Sequence, residues 1–181
     1  AMVLADSSVL KSLPAKQFAS GMADLIKHGC IRDRALFYSL AEQDKGGDLS
    51  KIIIKSCGIK ADIVAQDERD KGERMVLNFG HTLGHALETA QGYGNLLHGE
   101  GVAIGMVAAA RWSEATGVAP KGCAEEIARV LARYDLPTEV PQTGWGKVKT
   151  AMRGDQKSHG DAINLSLIPI RRCRRSTPCK S

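Results

Sequence analysis

The run Gly101-Val-Ala-Ile-Gly-Met-Val-Ala-Ala-Ala110 is apolar around its whole circumference and rich in small residues. A helix without a polar face has to be enclosed by other elements, so the helix that starts near His98 is expected to cross the centre of its domain. Only 4% of the residues are aromatic, and Ala, Leu, Val and Ile supply most of the nonpolar volume, which favours close-packed helices over a sandwich or barrel. With 181 residues and 43% hydrophobic content, the chain has the material for one buried core. The expectation is one mainly all-α domain over residues 1–170.

Just upstream lies Arg74-Met-Val-Leu-Asn78-Phe-Gly-His81-Thr-Leu-Gly-His85-Ala-Leu-Glu88. Plotted as one helix at about 100° per residue, Arg74, Asn78, His81, His85 and Glu88 fall within roughly 80° of one face, while Val76, Phe79, Leu83 and Leu87 gather on the other. An ordinary amphipathic helix would carry Lys and Glu on its polar side; His, Asn and Arg aligned over three turns suggest a lined site. His81 and His85, one turn apart, suit two imidazoles on one metal, although Thr82 stands where a hydrolytic zinc helix has its Glu base. His98 offers a third imidazole across the loop. Spacing alone leaves three readings open: a metal site, a polar network between helices, or histidines on a helix surface. The surrounding Arg, Asn and Lys residues suit a phosphorylated or carboxylated substrate. His98 and Glu100 fall at a helix N-terminus, where the partial positive charge favours an anion.

Further helices are expected over 14–29, 33–43, 49–70 with an interruption near Gly58, 121–134 and 144–152. Residues 163–168 alternate like a strand, so a short strand or hairpin near 162–169 is the one β element expected. Asp24 and Lys27, three apart, read on spacing as a solvent-facing ion pair worth a few tenths of a kcal/mol. Lys60, set among apolar residues, reads as a lysine whose stem packs while its ammonium stays in water. Gly92-Tyr-Gly94 follows a helix and lacks a third glycine at the needed spacing, so it is no dinucleotide fingerprint.

The formal charge of +5 is local: the last eleven residues hold five of the 25 basic side chains and no acidic one, which leaves the body with 20 of each sign. Residues 171–181 are expected to be a disordered basic tail, with no nucleic-acid partner. The five cysteines show no Cys-x-x-Cys pair, which fits a reducing, cytoplasmic compartment. Cys30, Cys57 and Cys123 lie in helical segments and are expected as small core residues. No apolar run reaches the roughly 18 residues of a membrane span. The abrupt apolar start at residues 1–5 and the single strand both lack pairing partners, so a further part of the protein is expected beyond this chain.

Asn78-Phe-Gly-His81-Thr-Leu-Gly-His85-Ala-Leu-Glu88, followed by Gly92-Tyr-Gly-Asn-Leu-Leu-His98-Gly-Glu100-Gly-Val-Ala-Ile-Gly-Met106, closely resembles the 3-dehydroquinate synthase family. Ser20-Gly-Met-Ala-Asp24-Leu-Ile-Lys27-His-Gly29 and Ile59-Lys60-Ala-Asp-Ile-Val-Ala-Gln-Asp67-Glu-Arg-Asp70 extend the likeness upstream. It covers residues 2–160 and corresponds to the C-terminal half of the family's enzymes, so the resemblance implies their multihelical C-terminal fold and an NAD-binding N-terminal domain outside this chain.

By that resemblance Asp24, His81 and His98 hold one divalent metal, zinc or cobalt. Lys60, Arg74, Asn78, His85 and Lys157 bind a sugar phosphate. Lys27, His85 and Asn78 take part in catalysis, and Asp70 contacts the NAD cofactor. The implied reaction is the lyase conversion of 3-deoxy-arabino-heptulosonate 7-phosphate to 3-dehydroquinate in a homodimer, with this chain alone inactive or nearly so. Asp24 and Asp70 stand where the family usually has Glu, and Asp155-Gln156-Lys157 where it has Asp-Lys-Lys. The alternatives are another sugar-phosphate cyclase, such as a deoxyinosose or aminodehydroquinate synthase, or a metal-binding module without catalysis.

Overall fold

The computed structural model describes residues 6–43, 47–67, 72–92, 94–142 and 144–154. Among them are seven α-helices: α1 (Ala15–Ile31), α2 (Arg34–Glu42), α3 (Ser50–Gln66), α4 (His81–Gln91), α5 (His98–Ala115), α6 (Cys123–Arg133) and α7 (Trp145–Gly154). Two 3-10 segments, Ser7–Ser12 and Glu73–Asn78, precede α1 and α4. No β-strand occurs among the described residues. The strand expected near 162–169, the tail 171–181 and residues 1–5 lie outside them.

The all-round apolar run does form the axis of the domain. Every residue of α5 from Gly99 to Val107 is buried except Glu100, which is half-buried. α1, α4 and α6 pack around α5, and α7 lies against α4. One core cluster joins Met22, Ile26, Leu40, Met106 and Leu131 from four helices with Phe79 from the turn before α4. A smaller one joins Ala86, Leu87, Ile104 and Val148 beneath α7.

Helix ends are closed by local chemistry. Asp33 Oδ1 accepts from the Leu36 N–H at 2.9 Å at the start of α2, the ordinary N-cap arrangement. Glu114 of α5 does the same for α6 from a distance, accepting from the Ala124 N–H at 2.7 Å. The Tyr134 hydroxyl donates to the Leu40 carbonyl at 2.8 Å and ties the end of α6 to α2.

Three sequence expectations need correction. Residues 74–88 are not one helix: the 3-10 segment ends at Asn78, and Gly80, with φ +80°, turns the chain before α4 begins. A left-handed residue breaks a helix and is cheap only for glycine. Gly80 is also pressed against Gly105 of α5, where an added Cβ would strike the Gly80 carbonyl. Second, α3 runs through Gly58 without interruption, because a helical glycine costs only about 1 kcal/mol relative to alanine. Third, Cys57 is exposed, whereas Cys123 is buried and Cys30 half-buried.

The two glycines make opposite predictions. Gly105→Ala should cost about 2 kcal/mol or more by forcing α4 away from α5. Gly58→Ala meets open space and should stabilise by about 1 kcal/mol. Chemical denaturation of both variants, followed by circular dichroism, checks the pair.

Candidate metal and substrate site

The turn at Phe79-Gly80 delivers His81 and His85 on successive turns of α4, facing the first residue of α5, His98. Their ring centroids form a near-equilateral triangle: 5.4 Å from His81 to His85, 5.3 Å from His81 to His98 and 5.5 Å from His85 to His98. His81 is half-buried, while His85 and His98 are exposed. A polar network and a metal site both need such convergence; histidines scattered over a helix surface would not show it.

The acceptors around these rings assign their protons. His81 Nδ1 lies 3.2 Å from the Phe79 carbonyl oxygen, which can only accept, so the proton sits on Nδ1. His98 Nδ1 lies 3.0 Å from Glu88 Oε1, and a carboxylate imposes the same tautomer. Both rings thereby keep an Nε2 lone pair available to a ligand. Burial, and then the positive charge of Lys27, bring the His81 pKa down to about 4, so this imidazole is neutral at physiological pH.

Asp24 and Lys27 on α1 complete one side. Lys27 Nζ donates to Asp24 Oδ1 at 2.6 Å. The pair is not the solvent-facing one that spacing suggested: the Lys27 side chain is 6% exposed against 53% for Asp24. Burial lowers the lysine's pKa, and the attraction of Asp24 offsets this in part. For Asp24, burial acts upward, but the charge and hydrogen bond of Lys27, with smaller help from His81 and His28, hold the carboxyl below its usual value. Lys60 of α3 is exposed, and its charge reaches both Lys27 and His28.

Arg74 and Asn78 lie on the 3-10 segment, both half-buried. Asp67 Oδ2 anchors that segment to the end of α3, accepting from the N–H groups of Gly72 at 2.9 Å and Arg74 at 3.1 Å. Asn78 also lines a cleft of about 360 Å³ with Leu83, Trp112, Trp145 and Met152. Asp70 and Lys157 lie outside the described residues.

Among the described residues, the donor set whose ligand atoms all fall within 4.8 Å of one another is His85, Glu88 and His98, not Asp24, His81 and His98. Neutral imidazole nitrogens with a carboxylate oxygen suit a borderline divalent cation such as zinc or cobalt, so the residues present fit a metal of that class. Sequence reasoning gave Glu88 no role, although its spacing three residues after His85 on the polar face was the available signal. It also missed the buried pair in which His28 Nδ1 lies 2.6 Å from Ser56 Oγ.

Clustered imidazoles beside a buried lysine are a combination that can take a divalent cation and an anionic group. Residues 21–158 match the 3-dehydroquinate synthase C-terminal family, and the chain belongs to that family. It is 42% identical over 171 residues to the 3-dehydroquinate synthase of Clostridium botulinum, covering 92% of this chain and 49% of that protein. The enzyme of Symbiobacterium thermophilum is 44% identical over 179 residues, with 94% and 49% covered. The chain therefore spans about half the length of the curated relatives it matches.

Two solved structures share the fold. One is a 2-epi-5-epi-valiolone synthase from Streptomyces hygroscopicus subsp. jinggangensis 5008 with NAD+ and Zn2+ bound, at TM-score 0.79 and 20% identity, over 91% of this chain and 48% of that one. The other is a 2-deoxy-scyllo-inosose synthase complexed with carbaglucose-6-phosphate, NAD+ and Co2+, at TM-score 0.69 and 21% identity, over 84% and 43%.

His28 yields a pH prediction. Burial first, and then the charge of Lys27, lower its pKa to about 4, against about 6.5 in an unfolded chain. Between these values the unfolded chain binds a proton that the folded chain does not, so the stabilising contribution is complete above pH about 6.5 and is lost as pH falls toward 4. The loss is on the order of 3 kcal/mol for this one group. Urea denaturation across that pH range should show the pH dependence reduced by about one proton in His28→Gln.

Proposed function

We propose that the protein carrying this chain is a lyase that converts 3-deoxy-arabino-heptulosonate 7-phosphate to 3-dehydroquinate and phosphate in the shikimate pathway. This chain is its metal- and substrate-binding half. The observation that carries the reading is the pair of imidazoles, His81 and His98, each holding its proton on Nδ1 and keeping Nε2 open, beside the buried Lys27 and its partner Asp24. The 42% and 44% identities to 3-dehydroquinate synthases favour this substrate over those of other cyclases. NAD and a zinc or cobalt ion are the proposed cofactors, an NAD-binding domain and a second protomer the proposed partners, and the cytoplasm the proposed location. No helix among the described residues is long and apolar enough to cross a membrane.

When bound, the cation supplies Lewis-acid polarisation of a substrate oxygen and the nicotinamide a reversible hydride acceptor. Asp24, His81 and His98 are the residues proposed to hold the cation. Lys27 then has a task suited to its burial: an ammonium with little water around it attracts a substrate carboxylate or phosphate more strongly than an exposed one. Lys60 and Arg74 add positive charge for the same anionic groups, and Arg offers the paired donors that a carboxylate or phosphate accepts. His85 and Asn78 hydrogen-bond substrate hydroxyls and orient the ring, while Lys157 and Asp70 complete the substrate and NAD contacts. Elimination of phosphate needs a proton removed from the neighbouring carbon, and the leaving phosphate is the proposed base.

Product identification tests the reaction. A fusion of the chain to the N-terminal half of the Symbiobacterium relative, given NAD, zinc and the heptulosonate phosphate, should release dehydroquinate. Conversion of glucose 6-phosphate instead would favour the cyclase alternative. The chain alone should show no turnover above background.

The ligand assignment has its own measurement. Zinc titration of the full chain should weaken at least tenfold in Asp24→Ala, His81→Ala and His98→Ala, and by less than about threefold in His85→Ala, as expected when a ligand is lost or spared. Loss in His85→Ala with retention in His81→Ala would move the cation to the His85, Glu88 and His98 set.

A further inference from the structure

We infer that Glu88 is a positioning residue for His98: its carboxylate fixes the proton on Nδ1 and so presents the Nε2 lone pair toward the cation site. The geometry is built by helix packing. Glu88 lies one turn beyond His85 on α4, and a Cβ on Gly101 of α5 would sit 3.3 Å from Glu88 Oε1 and 3.4 Å from its Cγ. The carboxylate is thus laid along the first turn of α5, where His98 is the first residue. Its side chain is 18% exposed against 49% for His98. The better-sheltered partner therefore directs the more exposed one.

The backbone donors nearest His98 are satisfied by other groups. Ser20 Oγ accepts from the Gly99 N–H at 2.9 Å, and Glu100 Oε2 accepts from the Leu97 N–H at 2.8 Å. Neither of these donors engages Glu88, whose Oε1 stands 3.0 Å from the imidazole Nδ1. A neutral imidazole left to water carries its proton mostly on Nε2, the form in which that nitrogen cannot bind a cation. A carboxylate behind a metal-binding histidine reverses the preference, and losing it typically costs ten- to a hundredfold in affinity.

The consequence for the cation rests on His98 being a ligand, as proposed above; the tautomer does not. Glu88 is also close enough to His85 and His98 to be a ligand itself, and an amide substitution separates the two roles. A glutamine carbonyl still accepts from Nδ1–H but is a poor substitute for a carboxylate on zinc.

The experiment reads the His98 ring nitrogens by long-range 15N NMR of the full metal-free chain, above the ordinary histidine pKa of about 6.5, followed by zinc titration. The proton should sit on Nδ1 in the parent chain and in Glu88→Gln, and move to Nε2 in Glu88→Ala. Zinc affinity should fall about ten- to a hundredfold in Glu88→Ala and less than tenfold in Glu88→Gln. An Nε2 proton in the parent chain, an unchanged tautomer in Glu88→Ala, or equal loss of zinc in both variants would overturn the inference. Should the parent chain bind no zinc, the metal reading fails, and the tautomer alone decides the role of Glu88. If Glu88→Ala loses its helical signal, the parent and Glu88→Gln spectra carry the decision.

Discussion

Where the Gly80 carbonyl meets Gly105, α4 and α5 touch backbone to backbone, and the same happens where Gly99 backs onto Ser20 of α1. Helices separated by ordinary side chains stand 8–10 Å apart; glycine at the crossing removes that spacer. The positions of the three imidazoles follow from this approach. His81 begins α4 immediately after Gly80, and His98 immediately precedes Gly99. The residues that permit contact are therefore chain neighbours of the residues that form the site. The small-residue character of α5, which makes it a central helix, is also what fixes the distance between the two chemistry-bearing helix ends.

That closeness has an electrostatic cost. Lys27 is nearly as buried as the core, and both His28 behind it and His81 in front of it lose proton affinity through burial and through its charge. Asp24 offsets part of this, since a buried cation without a partner would be far more costly. The result is a buried ammonium between two imidazoles, His28 and His81, that are neutral at physiological pH. Such an arrangement leaves nitrogen lone pairs next to a fixed ammonium, the combination required of a site that takes a metal and an anionic substrate together.

The sequence made the helical class, the central helix and the shared polar face of His81 and His85 legible, because each rests on periodicity that survives folding. It misled at Gly80 for the same reason. Arg74 and Asn78 keep the helical phase of His81 on paper, and nothing in a hydrophobic pattern reveals a left-handed glycine whose necessity comes from Gly105, twenty-five residues away. Asp24 and Lys27 show a different limit. Their spacing was read correctly as a pair, but whether a pair is exposed depends on what packs over it, and that is a tertiary property. Glu88 is the sharpest case: its partner His98 lies across a loop, so only the crossing of α4 and α5 turns a polar residue on a helix face into an acceptor for an imidazole.

His85 and His98 remain exposed while the opposite face of the same helices, at Leu87, Val102 and Met106, is fully buried. Exposed imidazoles are readily solvated, so exposure costs them little; what helix packing adds is that the three rings are held with centroids 5.3–5.5 Å apart. Elimination and hydride chemistry both gain from excluding water and from low dielectric around the reacting charges; Lys27 is sheltered in this way, whereas His85 and His98 are not. In the proposed enzyme the histidine face is where the cation and the substrate are held. The preorganised part of the site, in which tautomers are set by Phe79 and Glu88 and charge by Lys27 and Asp24, is carried by this chain.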